Sequence, residues 1–165
     1  MTYPNRVTFK DVRFLWWSDL YRRSKRISRR VFLKAFCTDL LFKYLFWLRL
    51  ASYAEQPHVR KWHPLLYIVA RWRHRRHTLK CGIQIARGTK IGPGMHLSHF
   101  GGIVVNRNVV IGRNCNLAHQ VTLGTTQRGA RAGTPVIGDN VYIGPGAMIV
   151  GALTIGDYAA IGANA

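Results

Sequence analysis

From Ile85 to Ala165 the chain repeats a six-residue unit that opens with an aliphatic residue, usually continues with Gly, and carries a small residue four places on. The units begin at Ile85, Ile91, Leu97, Ile103, Ile111, Leu117, Leu123, Ile137, Ile143, Ile149, Ile155 and Ile161, with two extra residues before Ile111 and eight before Ile137. Apolar residues at spacing six suit neither an amphipathic helix nor a meander of hairpins, and Gly, Asp, Asn or Pro marks a corner in each unit. Three units make one triangular coil of about eighteen residues, and coils stack as parallel strands about 4.8 Å apart. The opening aliphatics point inward onto their counterparts, with Val141, Ala147, Leu153 and Ala159 filling the space beside them.

The segments GIQIARGTKIGPGMHLSHFGGIVVNRNVVIG, VTLGTT and PVIGDNVYIGPGAMIVGALTIG carry a resemblance over roughly residues 80 to 165. They resemble the hexapeptide-repeat acyltransferases, above all the serine acetyltransferase branch and the related enzymes that acetylate bacterial sugars and exopolysaccharides, colanic acid among them. The resemblance implies a mainly β fold: a left-handed parallel β-helix of about four coils, assembled as a homotrimer.

The length leaves room for an N-terminal α-helical segment, residues 1–80, before the β-helix domain of residues 81–165. Nineteen Lys and Arg stand against four acidic residues in that first segment, a balance of +15 out of +19, and all five Trp lie there too. A capping box at Thr8–Asp11 opens a short helix. A longer helix is expected from about Val31 to Tyr53, apolar over most of its girth. A third follows Pro64 to about Trp72 and runs into the cluster RWRHRRH. Lys34, Asp39, Lys43 and Arg49 interrupt the long helix, so it is no membrane span. It packs on the base of the β-helix or lies as an interfacial helix on an anionic membrane. Zinc-finger spacing and RNP-type aromatics are missing, which argues against specific nucleic-acid binding. Three Cys and a start, MTYPNRVTFKDVRF, without the apolar core of a leader point to a reducing cytoplasmic compartment, with peripheral contact on the inner face of the membrane. Cys115 sits at an inward position as a core thiol.

The resemblance makes His99, in SHFGG, the base that takes the proton from an acceptor hydroxyl before direct attack on the thioester of acetyl-CoA, the cosubstrate. Imidazole suits this role because it ordinarily titrates near 6.5 and can hand the proton on to a leaving thiolate. His119 stands one coil after His99 in the same place of its unit, so the two rings are expected one above the other, in a column continued by Pro145 and Ala163. By resemblance, Pro145 and Ala163 line the acetyl-CoA channel. His119 either steadies the acceptor or oxyanion or is a solvated histidine. Gln84 takes the place of an Asp that orients the catalytic imidazole in serine acetyltransferases.

The loop GTTQRGARAGTP leaves the coil at Gly124. Arg128 and Arg131 offer guanidinium forks suited to the phosphates of coenzyme A, and the backbone N–H groups of Gly124 and Thr125 are candidates for the coenzyme or its thioester oxygen. No metal is indicated, since His74 and His77 have no carboxylate or Cys beside them. Serine acetyltransferases carry an Asp just before the catalytic His and an Arg-His pair at the end of the loop, where this chain has Ser98, Gly133 and Thr134. Those losses favour a neutral hydroxyl, and the expected acceptor is a surface-polysaccharide sugar or a lipid-linked glycan. Serine, acetylated for cysteine synthesis, is the alternative, and a non-catalytic β-helix scaffold a second. The last unit stops at IGANA without a polar cap, which suggests a shortened product.

Overall fold

The computed structural model describes residues 6–165; Met1 to Asn5, the start of the stretch read above for a leader, lie outside the described residues. Twelve short strands follow the helical segment: β1 Ile83–Ile85, β2 Lys90–Ile91, β3 His96–Leu97, β4 Ile103–Val105, β5 Val110–Ile111, β6 Asn116–Leu117, β7 Thr122–Gly124, β8 Val136–Ile137, β9 Tyr142–Ile143, β10 Met148–Val150, β11 Thr154–Ile155 and β12 Ala160–Ile161. They form three four-stranded parallel sheets, one strand of each per coil: β1-β4-β7-β10 (sheet A), β2-β5-β8-β11 (sheet B) and β3-β6-β9-β12 (sheet C). This is the left-handed β-helix of four coils that the repeat calls for. Ile85, Leu97, Ile111, Leu117, Leu123, Ile137 and Ile143 are buried inside the prism with Val141 and Ala147. Gly112 shows how tightly the coils stack. A Cβ there would stand 2.3 Å from the carbonyl oxygen of Gly138 on the next coil, so only Gly fits.

The register corrects one expectation. Ile85 pairs with Val105, and Val105 with Leu123, whereas Ile103 pairs with Ile83. The unit therefore opens at Val105, and the two extra residues lie between Leu97 and Val105, not before Ile111. Strand side chains alternate in and out, so Ile103 and Val105 both point inward and are buried, and a search for apolar residues six apart cannot choose between them. The insertion falls in the turn that carries His99.

Five helices precede the coils: α1 Phe9–Ser24, α2 Arg29–Thr38, α3 Leu40–Ala54, α4 Pro57–Trp62 and α5 Pro64–Cys81. The Thr8–Asp11 capping box is present, opening a helix of 16 residues rather than a short one. The single helix expected from Val31 to Tyr53 is two. Asp39 leaves the helical backbone and accepts from Leu41 N and Phe42 N, each at 3.0 Å, capping α3. Its carboxylate breaks the chain where apolar spacing alone runs through. The apolar girth of α3 is covered: Leu41, Tyr44, Leu45 and Leu48 join the β-helix core, and Leu50, Ala51 and Ala54 pack in a second cluster that includes Ala70 of α5. Burial removes α3 as a membrane-facing surface.

The open edge of the first coil exposes strand donors and acceptors that must be satisfied, and the helices supply the partners. Arg49 donates to Ile91 O at 2.6 Å and Gly92 O at 2.7 Å. The Tyr44 hydroxyl accepts from Ile85 N at 3.0 Å, and Arg23 donates to Leu97 O at 3.1 Å while also pairing with Asp39. Asp19, 2% exposed, closes the joint by accepting from Arg49 Nε at 3.1 Å, Arg49 Nη2 at 3.2 Å and Met95 N at 2.8 Å. Burial pushes the Asp19 carboxyl up while the Arg49 guanidinium and the Met95 N–H pull it down. Three donors converging on its two oxygens are the environment of a carboxylate, so we assign an ion pair.

His74, buried on α5, has no hydrogen-bond partner on either ring nitrogen among the described residues. Burial, with a smaller push from the Arg87 charge, lowers its pKa to about 4. In the unfolded chain it titrates near ~6.5. Between those values the unfolded chain takes up a proton that the folded chain refuses, so stability is intact above the unfolded value and is lost as pH falls towards the folded one. The loss reaches about 3 kcal/mol at most. Urea midpoints at neutral pH and near pH ~5 are expected to differ more in the wild type than in His74→Leu. An equal difference would show that His74 is not the group responsible.

Candidate active site

The turn that leads from sheet C of the first coil to sheet A of the second holds the two extra residues. Gly101 (φ 100°) and Gly102 (φ 69°) adopt left-handed backbone there, which Gly tolerates without strain. Gly101 N donates to Cys81 O at 2.9 Å and Gly101 O accepts from Gln120 N at 2.9 Å, tying the turn to its neighbours above and below. Held by these bonds, the turn presents His99 and Phe100 on the outside, both exposed. Phe100 was not singled out from the sequence. Its signal is the glycine pair behind it, which swings the preceding residues away from the prism.

Leu97 pairs with Leu117, Leu117 with Ile143, and Ile143 with Ile161, so His99, His119, Pro145 and Ala163 each stand two residues beyond one column of partners. The His99 and His119 rings lie edge to face at 5.6 Å between centroids. Nδ1 of His119 is buried without a hydrogen-bond partner among the described residues. Gln84, exposed on the outer face of sheet A, forms no hydrogen bond to His99 among the described residues. It lines instead a groove of about 270 Å³ with His74, Arg75, Thr78, Arg87 and Arg107.

The loop after β7 stands elsewhere. It leaves sheet A at Gly124 and returns to sheet B at Val136, closed at its base by a Thr126–Gly133 bridge and by the Thr125 hydroxyl, which donates to Gly133 O at 3.0 Å. Gly124 O accepts from Gly151 N at 3.4 Å, and Ala152 N donates to Arg131 O at 2.9 Å. Arg128 and Arg131 are exposed, with no side-chain partner among the described residues. The histidine column thus sits on the corner between sheets C and A, and the arginine loop on the corner between A and B. Sheet A separates them, and its outer face carries exposed Val104, Met148 and Val150. One chain does not bring all the candidate residues together.

Cys115 is buried and its thiol donates to Gly138 O at 3.1 Å; burial pushes its pKa up, so it is a core thiol and no nucleophile. Among the described residues no group of three His, Cys, Asp or Glu could hold a metal ion.

Residues 134–165 match the family model described as bacterial transferase hexapeptide (six repeats). The serine acetyltransferase of Helicobacter pylori is 37% identical over 99 residues, 60% of this chain and 58% of that protein. In structure, soybean serine acetyltransferase complexed with serine superposes with a TM-score of 0.72 at 29% identity, covering 93% of this chain and 60% of that one. A serine acetyltransferase in complex with CoA gives a TM-score of 0.71 at 26% identity, covering 94% and 61%. The chain therefore spans about three fifths of the length of these relatives.

These findings overturn the expectation of a polysaccharide or lipid-linked glycan acceptor. That reading rested on charges missing at Ser98, Gly133 and Thr134, and a missing charge names no group that would bind a sugar. The likeness to serine acetyltransferases instead runs through the repeat in sequence and, in structure, through the helices as well. Residues 134–165 carry the hexapeptide transferase repeat, and the relatives named above, in sequence and in structure, are serine acetyltransferases.

Proposed function

We propose that the protein is an O-acetyltransferase that moves acetyl from acetyl-CoA to the hydroxyl of L-serine, with His99 as general base. The observation that carries this is the exposed His99 beside His119 on a turn built by an insertion, in a fold shared with serine acetyltransferases. His99 takes the hydroxyl proton as the oxygen attacks the thioester carbonyl; the carbon–sulfur bond breaks and the thiolate leaves with the proton returned from the imidazolium. The His119 imidazole, beside His99, contributes a hydrogen bond to the acceptor or the developing oxyanion. Pro145 and Ala163 continue the column as a wall for the coenzyme's pantetheine arm. Gln84 is assigned the support of the imidazole.

The separation of the column from the loop favours a shared site. In a homotrimer, the apolar outer face of sheet A would be covered by the next copy, and the loop of one copy, with Gly124, Thr125, Arg128 and Arg131, would meet the histidine column of another. The guanidiniums, free of protein partners among the described residues, suit the coenzyme phosphates.

The test is thiol release from acetyl-CoA by the full chain, with L-serine compared against threonine, glycerol and a panel of free sugars, and with the assembled mass read by light scattering. Serine-dependent release by a trimer is the expected result. A folded trimer that releases no thiol with serine would sink this reading.

A further inference from the structure

The buried side of α5 carries Ala70, His74 and Cys81. At 100° per residue, the opposite side carries Leu65, Ile68, Val69, Trp72 and Leu79 within one narrow stripe. All five are exposed, Leu65 by 72%, Trp72 by 54% and Leu79 by 75%, and Trp62, at the end of α4, is 74% exposed. Arg71 and Arg75 flank this stripe on one side, Arg73 and Lys80 on the other, and Arg76 lies within it. Arg73 and Arg76 hold their guanidiniums over the Trp72 ring at 5.2 and 5.8 Å, and Lys61 lies over Trp62 at 5.7 Å. No acidic residue occurs anywhere between Glu55 and Asp139.

Apolar side chains ordinarily turn away from water, and a second apolar face on a helix that already has a buried one needs a partner. The charge around it selects that partner: a cationic border with no acid repels a like copy and complements a polyanion. The apolar stripe then distinguishes a lipid surface, into which Leu and Trp side chains can sink, from a nucleic acid, which offers phosphates but little apolar depth. Trp at the level of the headgroups and Lys or Arg around it is the pattern of a helix lying in a membrane interface. No helix among the described residues is long and apolar enough to cross a membrane, so the contact would lie along the surface.

We propose that the outer face of α4 and α5, with Trp62, Leu65, Ile68, Trp72 and Leu79 as its apolar anchors, docks the protein on an anionic lipid surface. The inference is independent of the acetyl acceptor. It also moves the membrane contact away from α3, whose apolar girth is buried, to a helix whose apolar stripe is not.

The experiment is co-flotation of the full chain with phosphatidylcholine vesicles, either pure or with about one phosphatidylserine in three, at physiological ionic strength. Binding to the anionic vesicles with a blue shift of Trp emission, and little to the pure ones, is expected. The double variant Leu65→Ser/Trp72→Ser is expected to weaken partition by ~10-fold or more with helix content and assembled mass unchanged. Absence of flotation with anionic vesicles would overturn the proposal. So would a double variant that still binds them normally, since the attraction would then be charge alone and duplex DNA would serve as well. A fall in assembled mass in the double variant, with no vesicle binding by the wild type, would assign the face to contact between copies and overturn it equally.

Discussion

His99→Ala is expected to lower kcat/KM for acetyl transfer by about 10²- to 10⁴-fold, the usual contribution of a positioned general base. The side chain is exposed and its recorded contact is the edge-to-face approach to His119, so its removal opens no cavity and strands no partner. Thermal midpoint and assembled mass should stay close to the wild type, and the loss should fall on kcat more than on KM, because the imidazole acts on the proton in flight rather than on the bound coenzyme. His119→Ala should cost less, since it removes one hydrogen bond to the reacting groups and leaves the base in place. A correctly assembled His99→Ala protein that turns over serine at the wild-type rate would remove His99 from the mechanism.

The second large effect concerns stability. Asp19→Ala is expected to destabilise the fold by about 3–5 kcal/mol, the cost of leaving one member of a buried ion pair uncompensated. Asp19 and Arg49 are 2% and 7% exposed, and the guanidinium cannot reach water by a change of rotamer while it is held by Ile91 O and Gly92 O. The same substitution frees Met95 N at the end of the corner between β2 and β3. Arg49→Met should be at least as damaging, because it strands the carboxylate and two strand carbonyls together, each carbonyl costing about 1–3 kcal/mol. Urea unfolding followed by far-UV circular dichroism reads both variants; a loss below about 1 kcal/mol for Asp19→Ala would mean that the joint relaxes to admit water.

The repeat was legible because each coil must place an aliphatic residue inside a prism of fixed girth, and that demand writes itself at regular spacing from Ile85 to Ile161. Legibility ended where two physical demands overlap. Ile103 and Val105 both satisfy the interior, so the position of the inserted pair, and with it the build of the turn behind His99, emerged only from strand pairing. Asp39 interrupts a helical pattern with a charge that could have been solvated, and only backbone geometry shows that it starts a new helix. The helix α4 escaped notice because six residues leave too little periodicity to detect. In the candidate site, the stacking of His99 on His119 follows from counting units, whereas the separation of Arg128 and Arg131 from that column depends on which corner each occupies. The acceptor was misread because substitutions at Ser98, Gly133 and Thr134 were weighed as preferences, although a side chain that is gone exerts no force on a substrate.

The joint at Asp19 and Arg49 gives the solenoid a direction of growth. The side chains that satisfy the lowest rung, Arg23, Tyr44 and Arg49, belong to helices that leave the ribosome before that rung does. Each later rung then finds the hydrogen-bonding edge of its predecessor ready and adds by local contacts. The number of rungs laid on that base becomes a quantity that evolution can change without disturbing it.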